Sequence, residues 1–319
     1  MGGLYIILIF LFALCLNVPI AISLGVASVT YVFFFSSIPI DMIIQSYFSG
    51  LDSFSLIAVP FFILAGDIMM VGAFVGYFSL TMLGTNILIA MLTAMAACAI
   101  LGVLIEKIAY RPLRNSTRIA ALITAIGVSL FLEYITIFIL GPSQKVFPDS
   151  AFPIKAYDIA GLSILNKDLF VFVSAVVLML ILQYIIKWTK TGKAMRAVSL
   201  DQEAAVLMGI SVDKTISITF AIGSALAAAA GVMVGVYYNT VNPLMGIIPG
   251  LKAFVAAVLG GIGIIPGAMV GGFVMGLLET MVSGYGNSLY RDAVAFGVLI
   301  LILLIKPSGI FGKDTGEKV

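Results

Sequence analysis

Histidine is absent from this chain of 319 residues, cysteine occurs only twice, and charged residues make up 10% of the sequence. A chain without histidine has no Ser-His-Asp triad, and its two cysteines, Cys15 and Cys98, lie in apolar stretches and support neither a disulfide framework nor a zinc site. No nucleophile–base or metal-ligand constellation is visible. We therefore predict a protein that is not an enzyme and that binds no metal or cofactor itself.

Charge is too scarce for a soluble domain, since such domains carry about 25% charged residues. What the chain has instead is 62% hydrophobic residues, in runs that approach the roughly 20 residues a helix needs to cross a bilayer. Lipid offers the backbone no hydrogen-bond partners, and continuous rather than alternating apolar runs favour helices. The pattern predicts an all-α, polytopic transmembrane helical bundle with roughly eight to ten membrane segments. The candidates are Leu4–Phe35 as one long or two short helices, Phe54–Leu83 with an interruption at Gly66–Asp67, Asn86–Ile105, Ile119–Leu140, Asp168–Lys187, Thr215–Tyr238, Leu251–Gly263, Gly267–Met281 and Asp292–Ile305.

Lysine and arginine fall into three clusters beside these segments, and short cytoplasmic loops are enriched in both residues. The clusters are Lys107, Arg111, Arg114 and Arg118; Lys187, Lys190, Lys193 and Arg196; and Lys306, Lys313 and Lys318. Two candidate segments separate the first cluster from the second, and four separate the second from the third. Both numbers are even, and an even number of crossings returns the chain to the same side, so all three clusters fit on one side of a membrane. This predicts a multi-pass protein of the bacterial inner membrane with a cytoplasmic C-terminus and no nucleic-acid partner. Residues 1–105 contain no lysine or arginine, and their orientation stays open.

The longest loop on the predicted cytoplasmic side, residues 188–214, contains the string Asp-Gln-Glu-Ala-Ala-Val-Leu-Met-Gly at 201–209. Asp201 suits the start of a short helix, and Gly209 can end it in a left-handed conformation. The apolar residues before the glycine would be exposed at the membrane surface, where such a helix can enter a groove on a partner. An ordinary surface helix is the alternative interpretation. The residues predicted to dock are Glu203, Ala204, Ala205 and Gly209.

Glu-Ala-Ala, three residues and then Gly resembles the EAA loop of ABC importer permeases, although the Leu-Pro that follows in that family is missing here. Further strings, in the same order along the chain, resemble the LivH-type permeases of the branched-chain amino acid ABC family from about Gly66 to the C-terminus. They are EKIAYRPLR at 106–114, LITAIG at 122–127, NP at 242–243, GLKAF at 250–254, GGIG at 260–263 with PG at 266–267, and KPSGIFG at 306–312.

This resemblance implies the membrane-spanning permease of an ATP-driven importer for leucine, isoleucine, valine or related small solutes. It also implies three kinds of protein partner besides membrane lipid: a second permease subunit, two cytoplasmic ATPase subunits and an extracytoplasmic solute-binding protein. The chain contains no GxxxxGK[ST] phosphate loop, so ATP would be used by the partner subunits.

The first part of the chain resembles a different family. The strings NVPIA at 17–21 and LDSFSLIAVPFFILAG at 51–66 are similar to the start of the large membrane subunit of TRAP transporters, which are ion-coupled importers without an ATPase. We predict two parts, residues 1–66 and 67–319, joined near Gly66–Asp67 as a hybrid; a divergent but ordinary N-terminus is the alternative. A TRAP-type secondary transporter subunit and a non-functional hybrid are therefore the competing functional hypotheses.

Small residues and intramembrane acids are the remaining candidates. Closely spaced glycines let helix backbones approach each other, which serves either packing alone or the sliding of helices between inward- and outward-open states. These glycines are Gly260, Gly261, Gly263, Gly267, Gly271, Gly272 and Gly276. Charged groups inside a membrane are functional candidates, and two, Glu133 and Glu279, lie within predicted segments. We favour structural pairing for both, with a gate as the alternative for Glu133 and simple snorkelling for Glu279.

Overall fold

The computed structural model describes residues 2–16, 18–35, 42, 45, 54–114, 116–147, 156–159, 162–306 and 308–312, which leaves out the predicted tail lysines Lys313 and Lys318. The chain forms two compact units, Met1–Ile57 and Ala58–Val319. The first contains α1 (Gly2–Cys15) and α2 (Ile20–Phe35), which pack against each other. Proline disfavours the helical conformation in the residue before it, and α2 begins directly after Pro19. The first apolar stretch therefore folds as two short helices.

The second unit is a helical bundle that contains α3 from Ala58 onward. Its helices are α3 (Phe54–Leu83), α4 (Ile87–Ile105), α5 (Arg118–Leu140), α6 (Asn166–Trp188), α7 (Lys190–Leu200), α8 (Gln202–Leu207), α9 (Val212–Tyr238), α10 (Ile247–Gly260), α11 (Ile265–Tyr285) and α12 (Arg291–Ile305). α4 runs on into a π-helical turn, Glu106–Tyr110, and a 3-10 turn, Arg111–Leu113. α7 and α8 are short and lie in the predicted cytoplasmic loop.

Seven helices in the described part of the chain are long and apolar enough to cross a membrane, and shorter apolar helices add to them. The all-α, polytopic bundle is confirmed, and the predicted segment ends lie within four residues of the observed helix ends. One prediction is wrong: α3 is not interrupted at Gly66–Asp67 but is continuous. Gly66 serves instead as a contact point, because a Cβ atom there would collide with the carbonyl oxygen of Gly246.

Small residues bring α3, α4 and α9 together at the centre of this unit. A Cβ atom on Gly72 would collide with Ala228, and one on Gly231 with the backbone of α3. Gly102 of α4 meets Ser224 of α9 in the same way. Since lipid removes most of the hydrophobic drive between helices, such close approach supplies the packing energy. A separate apolar cluster joins α10, α11 and α12 through Val255, Leu259, Met275 and Ala295.

Short strands occur in the connections, which the all-helical prediction did not include. β1 (Lys145–Val146) pairs antiparallel with β4 (Thr240–Val241), and β2 (Ala156–Ile159) pairs with β3 (Leu162–Leu165). After β4 the chain turns back through residues 242–246, and α10 starts beside Gly66 of α3. α10 has 14 residues, or about 21 Å at 1.5 Å per residue, so it is shorter than a bilayer core of roughly 30 Å.

Candidate functional site

The predicted docking segment is a separate short helix, α8, whose start is fixed by one side chain. Asp201 stands at the N-cap, and its Oδ1 accepts hydrogen bonds from the backbone N–H groups of Glu203 at 2.9 Å and Ala204 at 3.0 Å. A carboxylate at this position satisfies donors that have no partner inside the helix, and it also suits the positive end of the helix dipole.

The end of α8 is fixed by Gly209, which has φ +76°. Its N–H donates to the carbonyl of Val206 at 2.9 Å, and the N–H of Ile210 donates to the carbonyl of Ala205 at 3.0 Å. This pair of bonds is the Schellman motif, and it needs a residue that adopts the left-handed region without strain. The left-handed ending predicted from Gly209 is confirmed.

α8 presents an apolar surface that the described part of the chain leaves uncovered. Leu207 is 87% exposed and Met208 is 82% exposed, and Leu200 and Val206 are exposed beside them. Glu203 and Ala204 lie on the exposed side, whereas Ala205 is buried against the chain itself. Exposed apolar patches on a short, well-capped helix mark contact surfaces for other proteins or for membrane. Of the four predicted docking residues, Ala205 is therefore the one that packs α8 against the rest of the chain and is not available to a partner.

A network of charged side chains links the end of α4 to the start of α9, the helix that follows α8. Asp213, in the first turn of α9, pairs with both Arg111 and Arg114. Arg114 also pairs with Glu106, which is 0% exposed. The second oxygen of Glu106 accepts a hydrogen bond from Ser217 Oγ at 2.6 Å. The start of α9 and the π-helical end of α4 are thereby held together, and only residues 208–211 separate this junction from the end of α8.

Sequence reasoning missed this network. It used the arginines as markers of orientation and as part of the string at 106–114, and it assigned no structural role to Glu106 or Asp213. An acid inside a basic cluster is the signal that was present at Glu106, because an isolated buried carboxylate requires a partner. Its partners lie 8 and 111 residues away along the chain, and no local pattern connects positions so far apart.

Only some of the seven predicted packing glycines lie at a contact between helices. Gly260, Gly267 and Gly271 lie where α10 and α11 cross, and a Cβ atom on any of them would collide with the backbone of the facing helix. Gly261 and Gly263 have positive φ and form the turn between these helices. Gly272 and Gly276 make no such close contact. Packing accounts for the first three positions, and turn geometry accounts for the next two.

The two predicted intramembrane acids differ in their surroundings. Glu279 forms ion pairs with Lys252 Nζ at 3.0 Å and with Arg291 Nε at 2.8 Å. Glu133 is buried with its Oε1 accepting no hydrogen bond, and Asp67 shares this feature at Oδ1. Asp67 was not among the intramembrane acids predicted from the sequence. Within the described residues, no group of His, Cys, Asp and Glu side chains is placed to hold a metal ion.

Comparison with known proteins decides the family. The family described as branched-chain amino acid transport system / permease component matches residues 53–303. The chain belongs to this family. The high-affinity branched-chain amino acid transport system permease protein LivH of Salmonella typhimurium is 39% identical over 265 residues, which cover 80% of this chain and 86% of that protein. The corresponding permease protein BraD of Pseudomonas aeruginosa is 38% identical over 265 residues, with the same coverage.

The N-terminal part matches a second family. Residues 7–79 match the DctM component of the tripartite ATP-independent periplasmic transporters. The C4-dicarboxylate TRAP transporter large permease protein DctM of Rhodobacter capsulatus is 41% identical over 56 residues, which cover 18% of this chain and 13% of that protein. The resemblances to a LivH-type permease and to a TRAP large subunit are both confirmed. No solved structure matches the chain.

Proposed function

We propose that this chain is the permease subunit of an ATP-binding-cassette importer for branched-chain amino acids or related small solutes in the bacterial inner membrane. The observation that carries the proposal is α8, a capped helix with exposed apolar side chains in the loop between α6 and α9. Membership of the permease family supports it. The loops at 106–118 and 188–214, with the C-terminus, face the cytoplasm in this assignment, and the partners are a second permease, two ATPase subunits and an extracytoplasmic binding protein.

In the transport cycle, this chain receives the movement of the ATPase subunits at α8 and passes it to α9 and α4. An ATPase subunit takes the exposed face of α8 into a groove, and Glu203 and Gly209 define the two ends of the contact. When the ATPases close, the movement passes from α8 into α9, because only residues 208–211 separate them. The pairs of Asp213 with Arg111 and Arg114 carry α4 along with α9. ATP itself is bound and hydrolysed by the partner subunits.

The test measures solute-dependent ATP hydrolysis by the assembled importer in nanodiscs, with its binding protein present. Glu203→Trp adds bulk to the exposed face of α8, and Gly209→Val forces a β-branched residue into the left-handed region that such residues avoid. Each change should lower the solute-dependent rate at least about tenfold. A tenfold loss corresponds to about 1.4 kcal/mol of binding free energy between α8 and the ATPase subunit. The matched control is Val146→Trp, an equally bulky change at an exposed position on β1. Unchanged stimulation in both α8 variants would remove this assignment.

A second candidate function follows from the DctM match to residues 7–79. We propose that residues 1–66 and 67–319 derive from two different transporter types, so ion-coupled uptake without an ATPase is the rival hypothesis. Uptake that survives depletion of ATP and collapses with an ionophore would favour that rival. A chain that inserts into the membrane but never co-purifies with an ATPase subunit would identify a non-functional hybrid.

A further inference from the structure

Two carboxyl groups inside the bundle have hydrogen-bonding capacity that the chain does not use. Asp67 of α3 is 0% exposed, and Glu133 of α5 is 6% exposed. Ser129 Oγ donates a hydrogen bond to Oδ2 of Asp67. Ser129 and Glu133 are four residues apart on α5 and therefore share one face of that helix. Oδ1 of Asp67 and Oε1 of Glu133 are buried and accept no hydrogen bond.

Both acids lie well inside their helices. Asp67 is nine residues after the start of the apolar span Ala58–Leu83 and 16 before its end, which is about 14 and 24 Å along a helix. Glu133 is seven residues before the end of the span Ile119–Leu140, or about 10 Å. A short acidic side chain does not reach water over such distances. The two groups are desolvated by the protein around them.

No basic side chain of the chain compensates this charge in the residues that the structure describes. The ion pairs found there engage the acids Glu106, Asp213, Glu279 and Asp292, and none reaches Asp67 or Glu133. A buried charge without a partner is strongly destabilising, and an unsatisfied buried polar atom in a folded protein calls for a physical explanation. A cation supplied from outside the chain satisfies both requirements.

The start of α10 places partial positive charge next to Asp67. Gly246 occupies its N-cap position, and no side chain caps the helix there. A Cβ atom on Gly246 would lie 2.6 Å from Oδ1 of Asp67. The first N–H groups of a 14-residue helix carry partial positive charge and favour an anion. A carboxylate that can bind an ammonium group and a helix start that can bind a carboxylate group therefore lie next to each other.

We propose that Asp67 and Glu133 bind the ammonium group of the transported amino acid, with the hydroxyl of Ser129 as a third acceptor and the start of α10 facing the solute's carboxylate. An ammonium group has three N–H donors, and the two unused carboxylate oxygens and the hydroxyl oxygen match them in number. The site is closed in this structure, because Gly66 and Gly246 hold α3 against α10. Solute enters when these two helices separate. This assignment rests on the proposed importer function, and it names the residues that would contact the polar groups of the transported solute.

The experiment uses the assembled permease–ATPase complex in nanodiscs without the binding protein, so that the membrane site alone can bind solute. Saturation-transfer NMR compares leucine with 3-methylbutylamine, which has no carboxylate, and with 4-methyl-2-oxopentanoate, which has no ammonium group. Leucine and the amine should bind, and the oxo acid should bind at least about tenfold more weakly, because it has no charged donor for the two carboxylates.

Asp67→Asn and Glu133→Gln should each lower the affinity for leucine about tenfold, whereas Glu133→Asp, which keeps the charge, should restore most of it. Thr136→Val is the matched control: Thr136 is buried on the same helix, and its hydroxyl bonds only the carbonyl of Leu132, at 2.7 Å. Co-elution with the ATPase subunits shows that each variant has folded and assembled.

Three results would overturn the site: no leucine binding by the unmodified complex, equal binding of the oxo acid, or unchanged leucine affinity in both neutralised variants. Solute-dependent ATP hydrolysis with the binding protein present separates the two proposals. If the unmodified complex shows no such hydrolysis, the importer function fails. If it does, and the neutralised variants bind leucine normally, only the ammonium site fails.

Discussion

Two groups of acids in this bundle differ in how fully their charges are paired. At the junction of α4 and α9, Glu106 accepts from Arg114 and Ser217, and Asp213 accepts from two arginines. Between α3 and α5, Asp67 and Glu133 each keep one carboxylate oxygen without a donor. Glu106, Asp67 and Glu133 are all buried, whereas Asp213 is 52% exposed, so burial alone does not separate the two groups. Pairing does.

The difference indicates two separate roles for intramembrane charge. A carboxylate whose partners belong to the same chain fixes the geometry of helix ends, and removing one partner leaves an uncompensated charge. A carboxylate whose partner is absent from the chain does not stabilise the resting fold, and it is available to a ligand. Three substitutions separate these roles by their effect on stability, and they are given from the largest expected effect to the smallest.

Arg114→Ala should give the largest loss. It leaves Glu106 buried with only Ser217 as a partner, and removing one member of a buried pair destabilises a protein by about 3–5 kcal/mol. The free energy of unfolding in mixed detergent measures the loss, and solute-dependent ATP hydrolysis should fall with it. The double variant Glu106→Gln, Arg114→Met should recover much of the stability, since it removes the stranded charge as well. A single variant as stable as the unmodified protein would show that the network is not structural.

Glu133→Gln should show the opposite behaviour. Neutralising a buried carboxylate that has no basic partner removes an uncompensated charge, so the free energy of unfolding should not fall and should rise by on the order of 1 kcal/mol. The same measurement in mixed detergent detects this. A loss comparable with that of Arg114→Ala would mean that Glu133 is paired within the assembled bundle, and the contrast between the two groups of acids would disappear.

Arg111→Ala should have the smallest effect. Arg111 binds the same Asp213 as Arg114 does, but both side chains of this pair are 52% exposed. Exposed pairs contribute about 0–1 kcal/mol and weaken with salt. Unfolding in low and in high salt checks this, because the difference between variant and unmodified protein should vanish at high salt. A loss as large as that of Arg114→Ala would show that exposure does not govern the strength of this network.

Much of the architecture is predictable because lipid permits few alternatives. Continuous apolar runs have to be helices, and the observed ends of α5, α6 and α9 to α12 lie within four residues of the predicted ends. α8 was predicted with its exposed apolar side chains and its glycine ending, since capping chemistry is local. The predicted interruption of α3 was wrong because glycine has two uses. A local pattern does not show whether Gly66 breaks a helix or allows another helix, here at Gly246, to approach it.

The sequence by itself determined that this chain crosses a membrane as helices and carries a short, capped helix in a basic loop. Composition, apolar run length and end-capping act over a few residues, so they can be read directly. Only the tertiary structure decided which acids are paired. Asp67 and Ser129 are 62 residues apart, and Arg111 and Asp213 are 102 apart. Such pairings depend on which helix faces meet, and the close contacts of small residues between helices set those faces.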